Sequence, residues 1–402
     1  MTVVEEFVRK PSGIEAFFID LDACGCNMTF HFYLELDRKP DTDLINATMR
    51  KMLETHKGIN MKFYRNSWYT SLYVPKCRVI EVEGEDVTSY KVSHLDFRKH
   101  TVALNILHVP KTDAWYLRFD FFHGVADGLS GVQFVYNFFD VLNGRELPEV
   151  DFTVKNYSLE VDAEAPDCSC EHQAFTVLPK CEPSGWSTAK DGTAVTAVVS
   201  CAKPIRCAAA RFSEIIGSYF GGKSAKMIVP VNVRKYVEKI NAAKTMFGNL
   251  FVPMLVDVKS CKSWSHLHGK IIDFVKHKSR LKRAAEKLKI YCRFPTRLRQ
   301  AVIRFAIPIV MSSKKFIYCA LVSSLGKIDS ERLTSNGFNV KDYLVTFESF
   351  PFTAFSVITL QFMDKTNTSV SWHSGRVSTN IAQSVIGDIV KSFEMPIPQE
   401  QM

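Results

Sequence analysis

The stretch from Trp115 to Leu142 leaves this chain few choices of local structure. Trp115, Leu117, Phe119 and Phe121 alternate through one strand length, the period-two pattern of a strand with one face in a core. Continuing that register puts His123 on the same face at the strand end. Then comes Gly124-Val-Ala-Asp127-Gly128, and after it Val132, Val135, Phe139 and Leu142 recur at helical spacing until Asn143-Gly144 stops the run. A strand, a polar glycine-bearing loop and an amphipathic helix therefore follow one another directly, with an imidazole at the junction.

The same two periods recur along the chain. Met28–Leu36 alternates as a half-buried strand, and a helix follows that Asp41 or Thr42 can cap, with Ile45, Met49, Met52 and Leu53 on its apolar face and Gly58 beyond it. Short strand patterns lie at 67–74 and 101–108. Further on, strand patterns fall at 194–202, 225–231, 250–256, 316–322, 344–347, 355–362 and 368–372, and helical ones at 205–219, 264–288 and 380–393. Between them, from Leu147 to Thr193, Pro148, Pro166, Pro179 and Pro183 interrupt a segment without sustained periodicity. A single core rarely exceeds about 250–300 residues. The 402 residues thus predict an α/β (α+β) protein of two similar lobes, at 1–155 and 194–402, joined by a crossover at 156–193.

An apolar fraction of 46% is enough for two cores. The longest apolar run, Ala301 to Met311, is broken by Arg304 and Pro308 and is far short of the ~20 residues a membrane span needs. Glu5 and Glu6 occupy the place where a secretory signal would carry an apolar core. The eleven cysteines form no even, tight framework, so reduced and mostly buried thiols and a cytoplasmic location are expected. Cys168-x-Cys170-x-His172 with Cys181 fits no standard zinc spacing, and no metal site is predicted.

Charge is unevenly spread. The net charge is +9, yet 270–304 alone holds twelve Lys/Arg against Asp273 and Glu286. A solvated helix face, a seat for coenzyme A phosphates and a peripheral contact with an anionic membrane all fit such a window. Arg297, Arg299 and Arg304 beside Leu298, Val302, Ile303 and Phe305 give the membrane reading its pattern. No nucleic-acid motif accompanies the charge.

Imidazole has an unperturbed pKa of about 6.5, which suits His123 to general-base work, and the flanking glycines let the backbone turn closely. The chain has no G-x-S-x-G elbow to supply a serine nucleophile, so a histidine acting alone on an incoming hydroxyl, amine or thiol fits better. Asp127 also reads simply as the N-cap of the following helix.

Phe122-His123-x-x-x-Asp127-Gly128 resembles the His-His-x-x-x-Asp-Gly signature of the chloramphenicol acetyltransferase-like superfamily, with Phe122 at the first histidine position. That departure suits the alcohol acetyltransferase-like branches, which keep only His-x-x-x-Asp, better than the peptide-forming condensation domains. Val229-Pro-Val-Asn-Val-Arg234 resembles the superfamily's second-lobe arginine strand, Phe247-Gly248-Asn249 its Gly-Asn segment, and Val322-Ser-Ser-Leu-Gly326 its Ser-Asn-x-Gly segment with Ser324 in place of Asn.

The resemblance implies two acetyltransferase-like lobes in a V-shaped pseudo-dimer around a central tunnel. It implies transfer of an acyl group from acyl-CoA, a co-substrate and not a resident cofactor, to an alcohol or amine. His123 would be the general base, and Asp127 and Gly128 would shape the loop. Asp127 would pair with Arg234, or alternatively with Arg118, and Asn249, Ser323 and Ser324 would be candidates to meet substrate or donate to the oxyanion. Two alternatives remain beside it: a standalone condensation-type domain using a carrier-protein thioester, and a silent binding protein of the same fold.

Overall fold

The computed structural model describes residues 5–55, 58–90, 94–147, 194–221, 224–234, 248–277, 290–312, 316–335 and 337–394. The expected crossover at 156–193, the Cys168–Cys181 cluster and Phe247 lie outside them. In chain order the strands are β1 (Phe7–Arg9), β2 (Thr29–Leu36), β3 (Met61–Tyr64), β4 (Ser67–Thr70), β5 (Val79–Glu81), β6 (Val102–Val109), β7 (Ala114–Phe122), β8 (Ala194–Cys201), β9 (Lys226–Asn232), β10 (Phe251–Asp257), β11 (Tyr318–Ile328), β12 (Val340–Phe347), β13 (Thr353–Phe362) and β14 (Lys365–His373). The described helices are α1 (Gly13–Ala23), α2 (Thr42–Thr55), α3 (Gly128–Leu142), α4 (Ala208–Ser218), α5 (Trp264–Lys276), α6 (Thr296–Ser312) and α7 (Thr379–Glu394).

β7 is central in a five-stranded sheet of order β12-β2-β7-β6-β5. Phe121 stands opposite Phe30 and Phe119 opposite Phe32, so one face of β2 and β7 is aromatic. α3 lays Phe138 against Phe119 (ring centroids 5.2 Å) and Phe134 against Phe121 (5.4 Å). A Cβ at Gly131 would sit 2.6 Å from the Phe32 ring, so α3 lies this close to the sheet only with glycine there. α2 packs beside α3 and buries Ile45, Met49, Met52 and Leu53. Asp41 Oδ1 accepts the N–H groups of Asp43 and Leu44 at its start.

The second sheet has the order β10-β9-β11-β13-β14-β8, with α4, α5 and α7 contributing Phe212, Ile216, Leu267, Val385 and Ile389 to its core. A small sheet, β1-β4-β3, carries the buried Trp68.

One strand breaks the linear division into lobes. β12 comes from the second half of the chain, yet it pairs antiparallel with β2 from Val340↔Leu36 to Phe347↔Phe30 and completes the first sheet. A lobe drawn as 194–402 therefore does not contain β12's hydrogen-bonding partner. The described cysteines are free thiols as expected but differ from expectation in their burial. Among the described residues eight are free thiols and only Cys77 and Cys319 are buried, because most of the others sit at element ends. No described helix is long and apolar enough to cross a membrane.

Candidate active site

His123 follows the last residue of β7. Its N–H donates to the Met28 carbonyl at 2.7 Å, which fixes the backbone where the strand leaves the sheet. The ring is enclosed by aromatic side chains from four other segments. Phe18 of α1 stacks on it at 4.2 Å, and Phe30 of β2 and Phe347 of β12 meet it edge-on at 5.3 and 5.4 Å. Phe251 of β10 lies 6.1 Å away.

Asn249, just before β10, reaches across from the second lobe. Its Nδ2 donates to the His123 carbonyl at 2.6 Å, and its Oδ1 lies 3.1 Å from Nδ1 of the ring. A carbonyl oxygen only accepts, so the amide nitrogen must face it. The amide oxygen, which also only accepts, then faces Nδ1, and Nδ1 carries the proton. In the neutral ring this leaves the basic lone pair on Nε2. Burial among the aromatic rings pushes the imidazole's pKa below its ordinary 6.5, outweighing nearby carbonyls, the Asp127 charge and the Asn249 bond, which push it up.

Asp127 caps α3, its Oδ1 accepting the Ser130 N–H at 2.9 Å. Its Oδ2 accepts the Leu250 N–H at 2.9 Å and Nη1 of Arg234 at 3.0 Å, while Nη2 of Arg234 donates to Oδ1. The same guanidinium donates to Ser130 Oγ at 2.7 Å, and Ser130 Oγ donates to the Gly248 carbonyl at 2.8 Å. Burial pushes the Asp127 carboxyl up, but Arg234 and the two N–H donors more than offset it and hold it below the ordinary 3.8. These groups come from both lobes, so the pair is a clamp between them. Gly128 follows at the first turn of α3, where a Cβ would stand 2.5 Å from Leu325 Cδ2 of β11.

Arg118 does not pair with Asp127. It lies on the opposite face of β7, where its Nε donates to Asp120 Oδ1 at 2.7 Å and its Nη2 lies 2.9 Å from His31 Nδ1. Ser323 and Ser324 stand on β11 opposite Ile358 and Thr359, Ser323 half-buried and Ser324 exposed. Among the described residues neither hydrogen-bonds His123, although Leu325 beside them touches the histidine loop. Phe122 is fully buried, stacked on Phe97 at 4.9 Å and near Trp68, so the first position of the motif is an apolar anchor. Phe97 and His94 help line a cavity of about 470 Å³ with Asp22, Gly25, Asn27 and Arg98.

The aromatic wall is what the sequence reading missed. α1 was not expected as a helix, although Ser12-Gly-Ile-Glu15 forms a capping box: Ser12 Oγ accepts the Glu15 N–H and the Glu15 carboxylate accepts the Ser12 N–H.

The fold is the chloramphenicol acetyltransferase-like fold shared by condensation domains and acyltransferases, with mixed α/β structure in two lobes. Among solved structures, the condensation domain from the Monacolin K polyketide synthase MokA is similar at a TM-score of 0.61, with 10% identity over 97% of each chain. The EpoB NRPS cyclization-docking bidomain from Sorangium cellulosum is similar at 0.60 and 13%, covering 98% of this chain and 86% of that one. The trichothecene 15-O-acetyltransferase from Fusarium sporotrichioides is similar at 0.57 and 10%, covering 97% and 94%. No protein-family model matches the chain, and no curated protein matches it in sequence.

Proposed function

We propose that this protein is an acyltransferase that moves an acyl group from acyl-CoA to an alcohol or amine, with His123 as general base. The observation that carries the reading is the orientation of His123. Asn249 holds Nδ1 in its protonated form, the neutral ring is favoured, and Nε2 keeps the lone pair.

In the proposed reaction the acceptor's O–H or N–H gives its proton to Nε2 as the heteroatom attacks the thioester carbonyl carbon. The tetrahedral intermediate collapses, the C–S bond breaks, and the imidazolium returns the proton to the departing thiolate. General-base help is worth roughly 10²–10⁴-fold, and positioning of the two substrates supplies the rest. Asp127 and Arg234 hold the loop without touching the reacting atoms. Asn249 is a positioning residue, since both ends of its amide are engaged by His123. Ser323 and Ser324 remain the hydroxyl candidates for the oxyanion.

The test is thiol release from a panel of acyl-CoAs with mixed alcohol and amine acceptors, run beside His123→Ala and with an acyl carrier-protein thioester as a parallel donor. Release with acyl-CoA that falls by about 10² or more in His123→Ala is expected. Release only from the carrier thioester moves the donor assignment to the condensation type. No release from either donor, or release unchanged in His123→Ala, overturns the catalytic reading.

A further inference from the structure

α6 has two unlike faces. Its inner face is fixed to α1 and the core: Arg299 Nε donates to Asp20 Oδ2 at 2.7 Å, Gln300 donates to Asp20 Oδ1 at 3.0 Å, and Ile303 is buried. Its outer face is apolar and open to solvent. Leu298 is 51% exposed, Val302 60% and Phe305 76%. At about 100° per residue these three fall on one narrow stripe, and the exposed Arg297 and Arg304 follow one edge of it. Phe294, 51% exposed, and Arg293 extend the pattern before the helix. From 290 to 312 there are four arginines and no Asp or Glu. Arg299 is held by Asp20, and among the described residues Arg293, Arg297 and Arg304 form no ion pair with a carboxylate.

We propose that the outer face of α6 is a membrane-docking surface. Leu298, Val302 and Phe305 enter the interfacial layer of an anionic bilayer, and Arg293, Arg297 and Arg304 lie among its headgroups. The charge is one-signed and complementary to acidic lipid, and arginine stems along the edge of an apolar stripe suit the headgroup boundary. The shape argues the same way. A stable protein interface takes about 20–30 residues a side, far more than one convex helix face offers, whereas a helix lying in a headgroup layer needs only its own stripe. The docking is independent of any catalytic activity.

The test is co-sedimentation of the full chain with vesicles of phosphatidylcholine alone and of phosphatidylcholine mixed with phosphatidylserine. Binding to the mixed vesicles is expected, weakened by added salt. The double variant Val302→Ser/Phe305→Ser should lower it about tenfold or more with an unchanged melting temperature, since both side chains are outside the core. Arg297→Gln/Arg304→Gln should remove the preference for the acidic lipid. Leu44→Ser, a comparably exposed site on α2, should leave binding unchanged. Absent binding to mixed vesicles, or equal binding by the Val302/Phe305 variant, overturns the proposal. So does a wild-type dimer in solution that the same double variant dissociates, because the stripe would then be covered by a second copy.

Discussion

Replacing Asp127 with alanine should destabilise the protein far more than replacing His123. The carboxylate side chain is 8% exposed and that of Arg234 20%, and it accepts four hydrogen bonds: Ser130 N–H, Leu250 N–H and two from the guanidinium. Removing an N-cap costs typically about 1 kcal/mol. Removing one member of a buried ion pair costs roughly 3–5 kcal/mol, because the other charge is left without a partner. The two overlap in one side chain, and Arg234 keeps some contact with water, so about 4 kcal/mol is the expected loss for Asp127→Ala. Asp127→Asn keeps a capping oxygen and loses the charge, so it should recover about 1 kcal/mol of that. Urea unfolding of both variants, His123→Ala and wild type gives the comparison. Acid supplies a second readout. The unfolded carboxyl titrates near 3.8 and the folded one below it, so the stabilisation is complete above 3.8 and disappears as pH falls through the lowered folded value. The gap between wild type and Asp127→Ala should narrow over that range. A loss under about 1 kcal/mol, or one no larger than that of His123→Ala, would refute the clamp.

Further outcomes follow from the site. The acid limb of kcat/KM should fall below pH 6.5, because burial lowers the His123 pKa and the neutral base persists as pH drops. Asn249→Asp places a carboxylate against Nδ1, favours the imidazolium and should move that limb up by about one pH unit or more, so an unmoved limb would remove Asn249 from its positioning role. Gly124→Ala puts a Cβ 2.2 Å from the Phe122 ring, which Phe97 and Trp68 hold in place, and should cost about 1–3 kcal/mol. Combining it with Phe122→Leu should relieve part of that cost, measured by a double-mutant cycle of melting temperatures.

The strand-loop-helix around His123 was legible because each part carries its own local signal: alternation in β7, an N-cap at Asp127, helical spacing in α3 and a stop at Asn143. The separation of Arg118 from Asp127 was not drawn, since Arg118 was kept as an alternative partner, although alternation along β7 already turns it away. In a strand, Arg118 and Asp120 face away from Phe119 and Phe121, and the structure finds them on that far face with His31. The resemblance brought Arg234 to the argument, since no periodicity relates it to Asp127 across the chain. What could not be read was shared between distant segments. Phe18, Phe30, Phe251 and Phe347 belong to four different elements, and each looks like an ordinary core phenylalanine until the lobes meet. α1 lacks a polar face because it is buried nearly all round, so it has no helical period to detect. β12 reads as a strand, but nothing local says that its neighbour is β2.

That last pairing sets a schedule for the newly made chain. Phe122 ends β7, and the strand that covers the other side of β2 begins only at Val340. At about 5–20 residues per second, a ribosome takes roughly ten to forty seconds to get from one to the other. Through that interval the backbone N–H and C=O groups of Thr29–Leu36, a segment rich in Phe, Tyr and Leu, have no native strand on one side. The nascent first sheet is therefore an open edge while the second half is being synthesised, and the protein's need for chaperones should be concentrated there.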